Sequence, residues 1–430
     1  MGITESGVDS WTDSLTRCEI SGVGYAPNAK YSTRESRQDH EYLHETLNLD
    51  VNGVRLYGLF CGYNGDKRVA KFIANRLTYE LYNDTPIASG MAQESVTKEL
   101  ERKFDIVVKA YDTELSDLFV KRMVEKESED ESNNVTISEI NQKLRAAATA
   151  LVVLFLDNNI YVLNCGNSRA VAIVEKNGDI SPEPLNFEHD ADNEEEAKRI
   201  RALGIDPSLV HRPTRALGDC FRQMNYLEDK DLKDATSAPV VSTPEIMVYP
   251  WDPSYKYLIL FSDSMPTALE ENGVDPSQVN RAMMTRIQRE VTYNNTSSAT
   301  SVAQAVVDSL LREHRERFLS GDAAGKYNRH EDMSLLLAAF KPAASNDGST
   351  NRFTIDTNSL SIEDTTSTAG GEETEKNEPV PNYVDLDGFD DHHLKDEIMQ
   401  KLMKIFNDDV AMPLGHLVIQ EEDEEQDQQF

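Results

Sequence analysis

Three apolar runs follow one another between Thr149 and Glu175, and each stops at a turn signal. TALVVLFL ends at DNN, IYVLNC ends at GNS, and RAVAIVE ends at KNG. Runs of this length with Asn- and Gly-containing punctuation predict strands joined by tight turns, a β-meander. GVRLYGLFCGY (53–63), YLILFS (257–262) and MSLLLAAF (333–340) predict three more strands. Helical spacing lies between them. Val69, Phe72, Ile73, Leu77 and Leu81 share one face, as do Leu100, Phe104, Val107, Val108, Tyr111, Leu115 and Leu118 within about 96–124. Val302, Val306, Leu310 and Leu311 mark an inward face in 301–319, and the polar insert EKESEDESNN (125–134) predicts a solvated loop. Hairpin-linked strands, with helices between blocks of sheet, imply an α+β fold rather than a doubly wound parallel sheet.

The main domain is expected over 11–341, after a short N-terminal stretch, 1–10. From 342 to 378 the chain is rich in Ser, Thr, Asn, Asp and Gly without apolar periodicity, which predicts a disordered linker. Hydrophobicity returns over 379–412, and 413–430 is an acidic tail. Acidic residues outnumber Lys and Arg by 76 to 43, a net charge of -33. Such a surface repels phosphate backbones and anionic lipid, which argues against binding nucleic acid or membranes through charge. Four scattered cysteines without a CxxC pair predict reduced thiols in the cytoplasm, neither a disulfide framework nor a zinc site. No run has the length of a membrane span, and no signal peptide is apparent. MGITES matches the myristoylation pattern at Gly2 and Ser6, although Glu5 and the lack of a nearby basic cluster weaken the match.

Five blocks carry chemistry: LYGLFCGYNG, NCGNSRA, TRALGD, LFSDSMP and HEDMSLL. In this order and spacing they resemble the signature blocks of the metal-dependent Ser/Thr phosphatases of the PPM (type 2C) family, over about 11–340. The resemblance implies a sandwich of two antiparallel β-sheets flanked by helix pairs. It also implies two divalent cations held by carboxylates, with a metal-bound water attacking phosphorus. Ions about 4 Å apart need a negative bridge between them. The family supplies it as the Asp of a Phe-Asp-Gly-His-Gly-Gly block, and here Cys61 stands there, followed by Gly62 and by Tyr63 in place of His. A thiol is soft and largely protonated at neutral pH, a poor ligand for Mg²⁺ or Mn²⁺.

Other matching positions erode too. Asn167 replaces an acid, Asp263 survives, Thr267 replaces the second Asp of its block, and Glu331 with Asp332 replaces an Asp-Asn pair. The N-terminal Arg-x-x-x-Glu-Asp block aligns either as Arg37 with Glu41 and Tyr42 or as Arg34 with Gln38 and Asp39, and loses one acid either way. Asp263 and Glu331 could still hold one ion weakly, or be ordinary strand-end acids. The expectation is a kept fold, no cofactor and no catalysis: a pseudophosphatase. A phosphatase with an altered metal site is the alternative.

Within the family, one catalytically silent branch is most similar: the adaptors that bind and activate the TGF-β-activated kinase, a MAP kinase kinase kinase. SWTDSL…C…SGVG (10–24), AQAVVD, RHEDM and above all NYVDLDGF (382–389) carry that likeness. The implied kinase-docking segment presents Tyr383, Val384, Leu386 and Phe389 as anchors. A helix then follows with Leu394, Ile398, Leu402, Ile405 and Phe406 along one face. An amphipathic helix on a tether seeks a partner's groove, or packs back on its own domain. TGF-β, cytokine or Wnt-type signalling is the implied setting. Leu386 for an aromatic and Asn382 for proline depart from the branch's docking pattern.

Overall fold

TALVVLFL has no polar alternate positions, so a sheet built on it must be covered on both faces. A computed structural model describes residues 21–340, apart from 33–34, 39–43, 52–53, 65–67, 83–86, 128–132, 211–212, 294–297 and 322–326. Strands β1 (Ser21–Ala26), β2 (Ala29–Ser32), β3 (Glu35–Gln38), β4 (His44–Val51) and β5 (Val54–Tyr63) come first. Helices α1 (Arg68–Tyr82), α2 (Gln93–Glu127) and α3 (Asn133–Arg145) follow. Next are β6 (Ala147–Leu156), β7 (Asn159–Cys165), β8 (Arg169–Lys176) and β9 (Asp179–Pro184). A small lobe holds α4 (Glu194–Ala202), β10 (Leu217–Gly218) and α5 (Cys220–Gln223), before β11 (Glu245–Pro250) and β12 (Tyr255–Phe261). Helices α6 (Ser264–Glu271), α7 (Val279–Tyr293) and α8 (Ala299–Ser320) precede β13 (Arg329–His330) and β14 (Met333–Ala339).

One sheet runs β1-β14-β12-β8-β9 and the other β11-β7-β6-β5-β4, every pair antiparallel, with a small third sheet β13-β2-β3. Alternation assigns each side chain to a layer. In β5, Tyr57, Leu59 and Cys61 face the inter-sheet core, whereas Leu56 and Phe60 pack under α1 and α2. In β14, Leu336 and Ala338 face the inter-sheet core, and Met333, Leu335 and Leu337 pack under α6, α7 and α8. The sandwich with outer helices is therefore the expected α+β architecture. Ser298 caps α8 by accepting from the Ser301 backbone N–H, and Gly321, at φ 75°, ends it.

Two expectations need correction. The three runs at 149–175 do not form one meander: β6 and β7 belong to one sheet, β8 to the other, and the chain crosses at Gly166–Ser168. Gly166 takes φ 146° with its Cα against Thr149, where a Cβ would lie 2.3 Å from that side chain, so only glycine fits the crossing. The polar insert is not a loop throughout either. Glu125–Glu127 continue α2, and Asn133 and Asn134 begin α3, which seats Ile140 and Leu144 in the core.

By contacts the chain divides into Met1–Ile362 and Glu363–Phe430. The expected domain limits, the linker, the docking segment and the Gly2 pattern lie outside the described residues. No helix among the described residues is long and apolar enough to cross a membrane.

Candidate functional site

Five of the six residues expected at the degenerate centre converge at one end of the sandwich. Cys61 and Gly62 lie near the end of β5, Asn167 in the β7–β8 crossing, Asp263 just after β12, and Thr267 one turn into α6. The Cys61 Sγ lies 3.4 Å from Ser168 Oγ, and Asn167 Nδ2 donates to Asp263 Oδ2 at 2.9 Å. Burial, and then the Asp263 charge, push the Cys61 thiol well up, against the pull of the hydrogen bond to Ser168. Cys61 is a neutral thiol here. Thr267 Oγ1 donates to the Asp263 carbonyl at 3.0 Å, so its hydroxyl serves the helix.

Glu331 does not join this group. It is exposed, and its carboxylate pairs with Arg329 at 2.5 Å. Its neighbour Asp332 is the buried acid, 2 % exposed, and its Oδ1 accepts from the Asn28 backbone N–H at 2.5 Å and from Asn28 Nδ2 at 2.9 Å. Asn28, in the β1–β2 turn, carries no sequence signal of this role.

A polar relay that the sequence analysis missed completes the site. His44 sits opposite Cys61 in the β4–β5 ladder, and its Nδ1 lies 2.7 Å from Ser334 Oγ on the other sheet. The Ser334 N–H donates to Ser262 Oγ at 3.1 Å, Ser262 and Ser264 hydroxyls lie 2.8 Å apart, and Ser264 donates to the Asp332 carbonyl at 2.6 Å. Burial lowers the His44 pKa, opposed by the Asp332, Asp263 and Glu331 charges.

Tyr63, at the family's His position, is drawn into a clasp. Its hydroxyl lies 3.4 Å from Asp219 Oδ2 and accepts from Arg222 Nη2 at 3.2 Å. Burial raises its pKa despite the Arg222 charge. Asp219 is a non-glycine residue at φ 52°, held there by its N–H bond to the Ala146 carbonyl. Tyr63→Phe is expected to speed amide exchange around 213–223 while leaving the sandwich core protected, as read by hydrogen exchange.

Beside the centre opens a cleft of about 520 Å³. Glu188, Asp190, Asp192, Glu194, Asp263 and Glu270 line it against one arginine, Arg169, which Glu188 already engages. Six carboxylates facing one neutralised cation disfavour a phosphate there.

The family profile of protein phosphatase 2C matches residues 86–316. A Caenorhabditis elegans protein named TGF-beta-activated kinase 1 and MAP3K7-binding protein 1 is 34% identical over 340 residues, 77% of this chain and 83% of that one. This chain belongs to the protein phosphatase 2C family. A probable protein phosphatase 2C 2 of Paramecium tetraurelia is 26% identical over 220 residues, 50% of this chain and 64% of its own length. Among solved structures, the serine-threonine phosphatase 2C of Toxoplasma gondii aligns with TM-score 0.42 and 18% identity over 74% of this chain and 99% of that one.

Among the described residues, the donors do not fit the two cations of protein phosphatase 2C enzymes. No group of three or more His, Cys, Asp or Glu among the described residues is arranged to hold a metal ion. The bridging position is a neutral thiol, and the carboxylates of Asp263, half-buried, and Asp332, buried, accept hydrogen bonds from amides. Hard cations need several free oxygen ligands, at octahedral angles for Mg²⁺.

Proposed function

We propose that this chain is a non-catalytic adaptor, a pseudophosphatase that binds and activates a MAP kinase kinase kinase of the TGF-β-activated type. The observation that carries this reading is the 34% identity, over most of both chains, to a protein named for binding that kinase. The site supports it from the other side, since a neutral thiol cannot bridge two metals and the flanking cleft is lined by carboxylates. Residues 379–412 are the proposed docking segment, tethered by 342–378, with the domain ending near 341. The working compartment is the cytoplasm, with which the free buried thiols of Cys61, Cys165 and Cys220 accord. Within it, cytokine, TGF-β or Wnt-type pathways are the proposed setting.

Binding and activation of the kinase by the full chain, by 379–412 and by 1–341 test the reading. The full chain should bind and activate, the fragment should bind unaided, and 1–341 should do neither. A domain that binds while the fragment fails would place docking elsewhere.

The second reading, a phosphatase with an altered metal site, draws on relatives named as phosphatases. Assay of a phosphopeptide with Mn²⁺ is expected to give no turnover, for the chain itself and for Cys61→Asp. Turnover on the order of one per second or faster would overturn the adaptor reading.

A further inference from the structure

We propose that two amides, Asn167 and Asn28, hold the carboxylates of Asp263 and Asp332 and thereby close the degenerate site to a divalent ion. This deepens the non-catalytic reading and rests on it. Missing acids explain why an ion would bind weakly. They do not explain how Asp263 and Asp332, near enough for both charges to act on His44, coexist without a cation between them. The hydrogen bonds do. Asn167 Nδ2 donates to Asp263 at 2.9 Å, and Asn28 donates twice to Asp332, from its backbone N–H at 2.5 Å and its Nδ2 at 2.9 Å. Donors to an ionised carboxylate form the stronger class of hydrogen bond, and they stabilise the negative charge without adding a positive one.

The hydrogen bonds around the site also join the two sheets. Here His44 and Ser334 make the inter-sheet link at 2.7 Å, and the serine relay carries it to Asp332 and so to Asn28. Asn167 fastens the crossing between the sheets to the start of α6. A cation entering this place competes with Asn167 for Asp263 Oδ2 and with Asn28 for Asp332 Oδ1. The isosteric change Asn167→Asp would reverse the logic, setting two carboxylates at hydrogen-bond distance with no proton or metal between them. Like charges at that separation repel unless an ion intervenes.

Thermal unfolding of the full chain, in EDTA and in Mn²⁺ at fixed ionic strength, decides the matter. The natural chain should unfold at the same temperature in both. Asn167→Asp and Asn28→Ala should each lower Tm by about 2 °C or more in EDTA. Mn²⁺ should raise the Tm of the Cys61→Asp, Asn167→Asp double variant, where three carboxylates face one point, and leave Asn28→Ala unmoved. A Tm of the natural chain that rises with Mn²⁺ overturns the proposal. So does an unchanged Tm in Asn167→Asp, or a folded double variant indifferent to Mn²⁺. Should the double variant not fold, the natural chain and Asn28→Ala still decide. Mn²⁺ stabilisation of the natural chain without phosphopeptide hydrolysis would sink this proposal alone, whereas hydrolysis would sink the adaptor reading.

Discussion

Tyr383→Ala combined with Phe389→Ala is expected to abolish kinase binding and activation while leaving the phosphatase-like domain folded. A short segment that docks through few anchors concentrates its binding energy in large rings, which bury much area at low rotamer cost. Truncation of a hot spot loses about 2 kcal/mol or more, equivalent to roughly thirtyfold in Kd. Two such losses acting independently approach a thousandfold. Leu394 and Ile398, at helical spacing, should contribute less singly and fix the direction of the helix, so Leu394→Ala should weaken binding several-fold without abolishing it. Val384 and Leu386 lie between the two rings and should behave likewise. Titration of the kinase with the full chain and each variant measures these losses, and circular dichroism of the same samples reports the fold. Kinase activation that survives the double substitution would move the energy out of this segment.

The architecture was readable where one physical signal dominated. Strands buried on both faces, such as β5 and β6, leave unbroken apolar runs, and α1 and α8 leave stripes at helical spacing. Val279, Met283, Ile287 and Val291 mark α7 by the same rule. Long-range pairing left no such trace. NCGNSRA reads as a hairpin turn, yet β8 pairs with β12 and β9 rather than β7, and only the packing of Gly166 on Thr149 marks the change of sheet. Helix α3 carries its apolar residues, Val135, Ile137, Ile140 and Leu144, sparsely in a mostly polar stretch, and Ile140 and Leu144 enter the core.

At the site, a thiol at the bridging position, Cys61, was legible from the resemblance to the phosphatase family and the chemistry of a thiol. The choice between Glu331 and Asp332 was not made by chemistry but by parity. Ser334, Leu336 and Ala338 face between the sheets, and Asp332 shares their phase, whereas Glu331 shares that of Met333 and Leu335. Strand alternation carried back by two residues would have named the buried acid. Nothing comparable points to Asn28, whose role depends on a turn meeting an acid 304 positions away in the sequence.

Glu196→Ala is expected to be the most destabilising single change in the small lobe, by about 3 kcal/mol, the lower end for breaking a buried ion pair. The side chain is 2% exposed and receives Arg215 at 2.9 and 2.6 Å, Arg199 at 3.2 and 2.9 Å, and Thr214 Oγ1 at 2.7 Å. Removing it strands two guanidiniums, but both are partly exposed and Arg199 keeps the Pro239 carbonyl at 2.9 Å, which holds the loss to the lower end. Burial alone would raise the Glu196 pKa. The bonds from Arg215, Arg199 and Thr214 outweigh it and bring the pKa down to about 2. Because the folded value lies below the unfolded one, Glu196 stabilises the lobe fully above the ordinary carboxylate range. That contribution fades as pH falls from about 4.5 towards about 2. Glu196→Gln keeps the shape and a bond for Thr214 while removing the charge, so it should lose less than alanine and flatten the acid limb. Urea unfolding at pH 7 and at pH 3 measures both effects: the gap between the natural chain and Glu196→Gln should narrow at the lower pH. A gap of equal size at both would mean that packing, not the ion pair, holds the lobe.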